Sequence, residues 1–168
     1  MSSTRTTLRR RLLTLLIATA ATIGAALGLA SPAFAISHSS AASQLSAAGI
    51  SWTSSGNCSD RYVSTCTSFE GIRQATIDGI ITFKRASGCA ITITAGTEVG
   101  HAGGTYSHWN GYKVDIALST CIQNYISANY TYVGYISGFG YQYRAPSGNL
   151  YTKEGSHWDI LFYTCGGC

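Results

Sequence analysis

The sequence predicts a single α+β domain with a largely antiparallel sheet and flanking helices, reinforced by disulfides. Three observations carry that expectation. One segment of helical period is followed by short alternating segments, in the order helix, strand, strand, helix, strands. Apolar residues are 45 % of the 168 and charged residues only 11 %, which excludes a disordered, heavily solvated chain. Six cysteines lie beyond residue 57, an even number that reads as oxidised in an exported chain.

The N-terminus is read first because it sets where the domain begins. A basic stretch from Arg5 to Arg11 precedes an apolar run from Leu12 to about Ala30, then Ser31-Pro32-Ala33-Phe34-Ala35. Small residues at Ala33 and Ala35 make an A-x-A cleavage pattern, so residues 1–35 read as a secretory signal peptide. The mature chain then begins near Ile36, is secreted, and has no membrane association after cleavage. An uncleaved anchor is the alternative, since the run is nearly long enough to span a bilayer. Arg9-Arg10-Arg11-Leu12-Leu13 loosely resembles a twin-arginine signal, so the export route stays open.

Residues 36–67 form a Ser-, Ala- and Gly-rich lead-in, expected to be flexible as far as residue 57 and to dock through Trp52. The domain proper is residues 68–168. From Ser68, apolar residues Phe69, Ile72, Ile77, Ile80, Ile81 and Phe83 fall near helical spacing. Glu70 sits in the expected first turn, and Lys84-Arg85 close the helix before Gly88. Ala90–Thr94 alternates and is β-branched, hence a strand. Residues 96–106 hold four glycines and no period, hence a loop. Tyr112–Leu118 reads as a strand and Cys121–Ala128 as a short helix. Tyr130–Ile136 and Gly140–Tyr143 form a pair across Gly138, Ala145–Asn149 is a turn, and His157–Tyr163 is the last strand.

Charge narrows the partners. Four of the 11 basic residues precede residue 12, which leaves seven basic against seven acidic in the remainder. A nucleic-acid binder needs a basic face on its folded body, and this balance leaves no room for one. No apolar or charged patch marks an oligomer interface, so a monomer is expected. The six cysteines permit fifteen pairings. Loop closure favours the local pairs Cys58–Cys66 and Cys165–Cys168, with Cys89–Cys121 remaining. The terminal C-G-G-C as half of a metal knuckle is the rival reading, and no second C-x-x-C supports it. Seven of the 11 tyrosines lie between Tyr125 and Tyr151. They read as a half-buried sheet with wet phenols or as a stacking surface for sugars or peptides.

The chemistry concentrates in two segments: Thr105 to Ile116, with His108, Gly111 and Asp115, and Glu154 to Ile160, with His157. A zinc hydrolase needs three His or carboxylate ligands, an open fourth position and a carboxylate to accept a proton from water. Gly111 lets the loop fold His108 back beside Asp115, His157 brings a third ligand on a neighbouring strand, and Glu154 lies close enough to act without ligating. A ligand set of Glu98, His101 and His108 on the glycine-rich loop is the alternative.

The pair of motifs, H-x6-D and then E-x2-H about forty residues on, behind an I-T-I-T strand, resembles the zinc D-Ala-D-Ala carboxypeptidases and dipeptidases. That group includes the vancomycin-resistance dipeptidases and phage L-alanyl-D-glutamate endolysins, and shares its fold with the Hedgehog signalling domain. Its pattern is S-x-H-x-x-G-x-x-x-D, then E-x-x-H, and the resemblance spans about residues 68–163. It implies Zn2+ held by His108, Asp115 and His157, Glu154 as general base, and peptidoglycan stem peptides as substrate. It also implies substrate contacts from Thr105, taken as the counterpart of the family serine, and from the segment after the I-T-I-T strand. There the family places an S-G-Y-R arginine, and here stands Ala95-Gly96-Thr97-Glu98. Glu98 reverses that charge, and His101 is the nearby group able to replace the lost donor. Two other functions stay open: a zinc amidase or endopeptidase on a different amide, and a scaffold without turnover that binds cell-wall glycan.

Overall fold

The alternation of apolar and polar residues along the strands decides the architecture. The computed structural model describes residues 34–168, so nearly all of the expected signal peptide lies outside the described residues. The elements are β1 (Ala35–Ile36), α1 (His38–Ala47), β2 (Ser51–Trp52), β3 (Ile72–Arg73), α2 (Gln74–Ser87), β4 (Thr92–Ala95), β5 (Lys113–Ala117), α3 (Thr120–Asn129), β6 (Thr131–Ile136), β7 (Gly140–Arg144), β8 (Leu150–Lys153) and β9 (His157–Leu161). A seven-stranded sheet runs β2-β4-β5-β9-β8-β7-β6, and a small ribbon pairs β1 with β3. Only β2 and β4 are parallel; the other pairs are antiparallel.

Register sorts the side chains between two faces. Val114, Ile160, Tyr151 and Tyr143 lie in one cross-strand row, and Ile116 sits opposite Trp158 in the next. With period 2 these share a face, and Val114, Ile116, Trp158 and Ile160 are fully buried. They pack with Ile77, Ile80 and Phe83 of α2 and Ile122 and Ile126 of α3. The opposite face carries Lys113, Asp115, His157, Asp159 and Thr152. Hydrophobic patterning therefore delivers every charged strand residue of the candidate site to the face away from the main helices.

The α+β class and the largely antiparallel sheet agree with the sequence. All three expected disulfides are present: Cys58–Cys66, Cys89–Cys121 and Cys165–Cys168. They fit an oxidising compartment. Among the described residues no helix is long and apolar enough to cross a membrane.

The lead-in departs from expectation. Residues 38–47 form α1, capped by the Ser37 hydroxyl, which accepts from Ser40 N at 3.3 Å. Ala41 and Leu45, four residues apart, are fully buried in the core, and β2 adds a strand beside β4. Trp52 docks as expected, edge-on to Phe69 at 5.5 Å.

The second helix starts at Gln74 rather than Ser68. The Ser68 carbonyl accepts from Thr97 N at 2.6 Å, and Glu70 receives His38 N at 2.8 Å instead of serving a first turn. Its C-terminus is as expected, with Lys84 and Arg85 in the last turn and Gly88 left-handed at φ 66°. Strand β8, directly after the Ala145–Asn149 turn, was not expected from the pattern.

Cys89–Cys121 ties the end of α2 to the start of α3 across 32 residues. Replacing both by Ala should lower the unfolding free energy by about 2–4 kcal/mol, read from urea denaturation. Unchanged stability would mean that the two helices are held by packing alone.

Candidate metal centre

Asp115 occupies the middle of β5, and its inward neighbours Val114 and Ile116 fix which way it faces. A register shift in β4 between Ile93 and Ala95 brings Ala95 opposite Asp115. Asp115 is 4 % exposed, and the neighbour of its buried Oδ1 is the His108 ring, 3.2 Å away. A buried carboxylate oxygen is costly unless something cationic belongs beside it.

His108 is delivered by the loop ahead of β5. Gly111 N donates to the His108 carbonyl at 2.8 Å, closing a tight turn at φ 73°. A Cβ at Gly111 would lie 2.7 Å from Gly71 O and 2.8 Å from Arg73 N, so only glycine fits against β3. The His108 ring is fixed by Nδ1, 2.7 Å from the Gly96 carbonyl. A carbonyl only accepts, so Nδ1 carries the hydrogen and Nε2 faces the site. Nε2 lies 3.2 Å from Asp115 Oδ1 and 3.7 Å from Asp159 Oδ2. Burial disfavours charge on this ring, but the two carboxylates outweigh it and raise its pKa to about 10. Without a metal, a proton on Nε2 supplies the missing positive charge, and a metal ion would take that proton's place.

His157 opens β9, with Nε2 3.4 Å from Asp115 Oδ2 and 3.4 Å from Glu154 Oε2. Glu154 stands in the β8–β9 turn, where its N–H donates to the His157 carbonyl at 3.0 Å. Desolvation raises the Glu154 pKa; His157 opposes this, and Asp159 and Asp115 add to it.

The glycine-rich loop supplies the fourth side of the cluster. His101 stacks on His108 with ring centroids 4.0 Å apart. Its Nδ1 is 3.9 Å from Asp115 Oδ2, and its Nε2 is 3.5 Å from Glu98 Oε1. His101, His108 and Asp115 each offer a donor atom within 4.8 Å of the others, so these three could hold a metal ion. Donors on a tetrahedron with bonds of about 2.0–2.1 Å stand about 3.3 Å apart. Around Asp115, His108 at 3.2 Å from Oδ1 and His157 at 3.4 Å from Oδ2 stand near that separation, while His101 at 3.9 Å from Oδ2 stands farther off.

Three expectations change on this geometry. The group that gathers within 4.8 Å includes His101, whereas the expected ligand set named His157, which reaches Asp115 Oδ2 but stands outside that group. Glu98 does not present itself to substrate. It is 3 % exposed, and its oxygens accept from Ser68 N at 2.8 Å and Gly96 N at 3.0 and 3.1 Å. Burial pushes its pKa up, but His101 and these backbone amides outweigh it and hold the carboxyl below its ordinary value. For the same reason the alternative set of Glu98, His101 and His108 gives way to one built on Asp115. Thr105 is exposed and lies three residues before His108, one too far for the serine's place, which Tyr106 holds.

Two contributors escaped the sequence reading. Asp159 sits opposite Asp115 and pairs with Lys113 Nζ at 2.7 Å. Burial raises its pKa, but His108 and Lys113 win and lower it. Period-2 spacing from His157 would have found it. Arg61, in the Cys58–Cys66 loop, braces both site loops. Its Nε donates to Thr97 O at 3.1 Å, Nη2 donates to Trp109 O, and the guanidinium lies 3.7 Å from the Trp109 ring centroid.

Comparison with protein-family models, curated proteins and solved structures finds no match. The metal-binding expectation is checked directly. Zinc titrated into the wild-type chain should bind at one ion per chain by calorimetry, and His108→Ala and Asp115→Asn should each abolish it. Equal binding by both variants would remove the site.

Proposed function

We propose that this chain is a secreted zinc metallopeptidase that hydrolyses D-Ala-containing or related bonds of peptidoglycan stem peptides. The supporting observation is Asp115 with His108 3.2 Å from one of its oxygens and His157 3.4 Å from the other, and Glu154 3.4 Å from His157 on the outer side. Imidazole and carboxylate donors in this number suit zinc. The substrate class follows from the motif resemblance to the D-Ala-D-Ala carboxypeptidases and dipeptidases.

In this reading His108, Asp115 and His157 would hold the ion, with His157 drawing in toward the other two. Bound zinc supplies Lewis-acid activation of water and of the scissile carbonyl. Glu154 takes the proton of the attacking water and passes it to the leaving amine. Its raised pKa suits a group that must accept and then release a proton. Lys113 holds Asp159 in place, so that this second carboxylate stays off the incoming peptide. With Glu98 buried, the side where an arginine would seat a terminal carboxylate carries His101 instead. That favours an endopeptidase or amidase bond among the substrates of this class.

A binding module for cell-wall glycan is the second reading. It is favoured by one observation: Tyr132, Tyr135, Phe139 and Tyr141 on the β6–β7 hairpin are each at least half exposed.

Glu154→Gln should keep zinc and fold and lower hydrolysis of cell-wall peptides by ~100-fold or more. Full activity in that variant would sink the mechanism. Peptides with free and blocked C-termini divide carboxypeptidase from endopeptidase action. Retention of Tyr135→Ala/Tyr141→Ala on insoluble peptidoglycan tests the second reading: lost retention, with no turnover by the wild type, would favour it over hydrolysis.

A further inference from the structure

The resting site has more donors than a hydrolase needs. We infer that His101 is a fourth, displaceable metal ligand, so that the resting centre is closed by protein donors and opens when the glycine-rich loop withdraws. This rests on the metal-peptidase reading above and adds to it a device that controls the site.

The geometry starts from Asp115. Three imidazole nitrogens lie near its carboxylate: His108 Nε2 3.2 Å from Oδ1, and His157 Nε2 and His101 Nδ1 3.4 and 3.9 Å from Oδ2. His101, His108 and Asp115 already gather within 4.8 Å of one another, so closing the centre needs only His157 to draw in. Any hydrolytic centre needs only two of them beside the carboxylate. His101 is nevertheless held in place by a dedicated partner. Glu98 is buried, its oxygens are taken by the Ser68 and Gly96 amides, and it stands 3.5 Å from His101 Nε2. A carboxylate beside one imidazole nitrogen favours the hydrogen there and leaves the other nitrogen bare, which is the usual support for a metal-ligating histidine. The bare nitrogen here is Nδ1, the one that faces Asp115.

The donors differ in how firmly the chain holds them. Asp115 and His157 belong to paired strands, and the His108 ring is tied to Gly96 while its loop is seated on β3 by Gly111. His101 follows Gly100, at φ 109°, on a loop whose last anchor is Val99 N to Arg61 O at 2.9 Å. The backbone of residues 100–103 forms no hydrogen bond within the described structure, and the His101 side chain is 26 % exposed. Among the donors it is the one whose segment has no backbone hydrogen bond to break. Four protein donors make a closed, structural type of metal site, whereas hydrolysis needs an open one. Withdrawal of His101 converts one into the other.

Cobalt(II) added to the mature chain tests this, because its visible absorption reports the number and kind of ligands. Wild type should show the intense bands of a four-coordinate ion. His101→Ala should keep its circular dichroism, lose band intensity and bind cobalt about 10–100-fold more weakly. Glu98→Gln should shift the bands in the same direction by less. Identical spectra and affinities in wild type and His101→Ala, with binding abolished in His108→Ala, would overturn the His101 assignment alone. Absence of cobalt binding by wild type would overturn the metal centre and this inference together.

Discussion

A single carboxylate organises the candidate site. Asp115 is buried at the centre of the sheet, and imidazoles rather than backbone amides stand beside its oxygens. Desolvation of a charged oxygen without a partner is expensive. The imidazoles of His101, His108 and His157 reach it from three directions, contributed by the glycine-rich loop, the turn before β5 and the start of β9. A site built this way depends on the carboxylate more than on any one histidine.

The loops that bring the imidazoles are held by contacts that tolerate little change. A Cβ at Gly96 would overlap the Ser68 carbonyl, and a Cβ at Gly111 would press into the backbone of β3. Close backbone approach at these two positions lets the Gly96 carbonyl fix the His108 ring while Gly111 seats its loop. On the outer side the Cys58–Cys66 bridge closes a short loop from which Arg61 reaches Thr97 and Trp109. The segment that looked like an ordinary lead-in is therefore one wall of the site.

What the sequence displayed and what it hid follow from the range of each interaction. Period-2 alternation through Val114-Asp115-Ile116 and His157-Trp158-Asp159 is local, and it placed the strands and two of the site residues on one face. Local disulfide pairing followed from short loop closure. The helix at residues 38–47 was hidden because its outer positions are Ser and Ala, with only Ala41 and Leu45 to signal a buried side. Glu98 and Arg61 act through backbone groups distant in sequence, at Ser68, Thr97 and Trp109, and no local pattern encodes such partners. Residues 68–73 illustrate the same point. Their helical spacing is real, but Thr97, Gly111 and Ile36 claim their backbone groups, and tertiary hydrogen bonds override the propensity.

Charge around the cluster gives the last constraint. Four carboxylates, from Glu98, Asp115, Glu154 and Asp159, crowd three imidazoles, and among the described residues Lys113 is the one fixed positive charge in direct contact. Arg61 spends its donors on carbonyls and its face on Trp109. The folded body has equal numbers of acidic and basic residues, so this local excess of negative charge is concentrated rather than inherited from composition. Buried like charges at such separations are tolerated when a cation sits among them. The raised pKa of His108 is the protein's own partial answer, a proton held where the carboxylates demand positive charge. A divalent ion would answer the same demand with twice the charge. The cluster's electrostatics thus favour a cation, and His101, His108 and Asp115 stand where they could hold one.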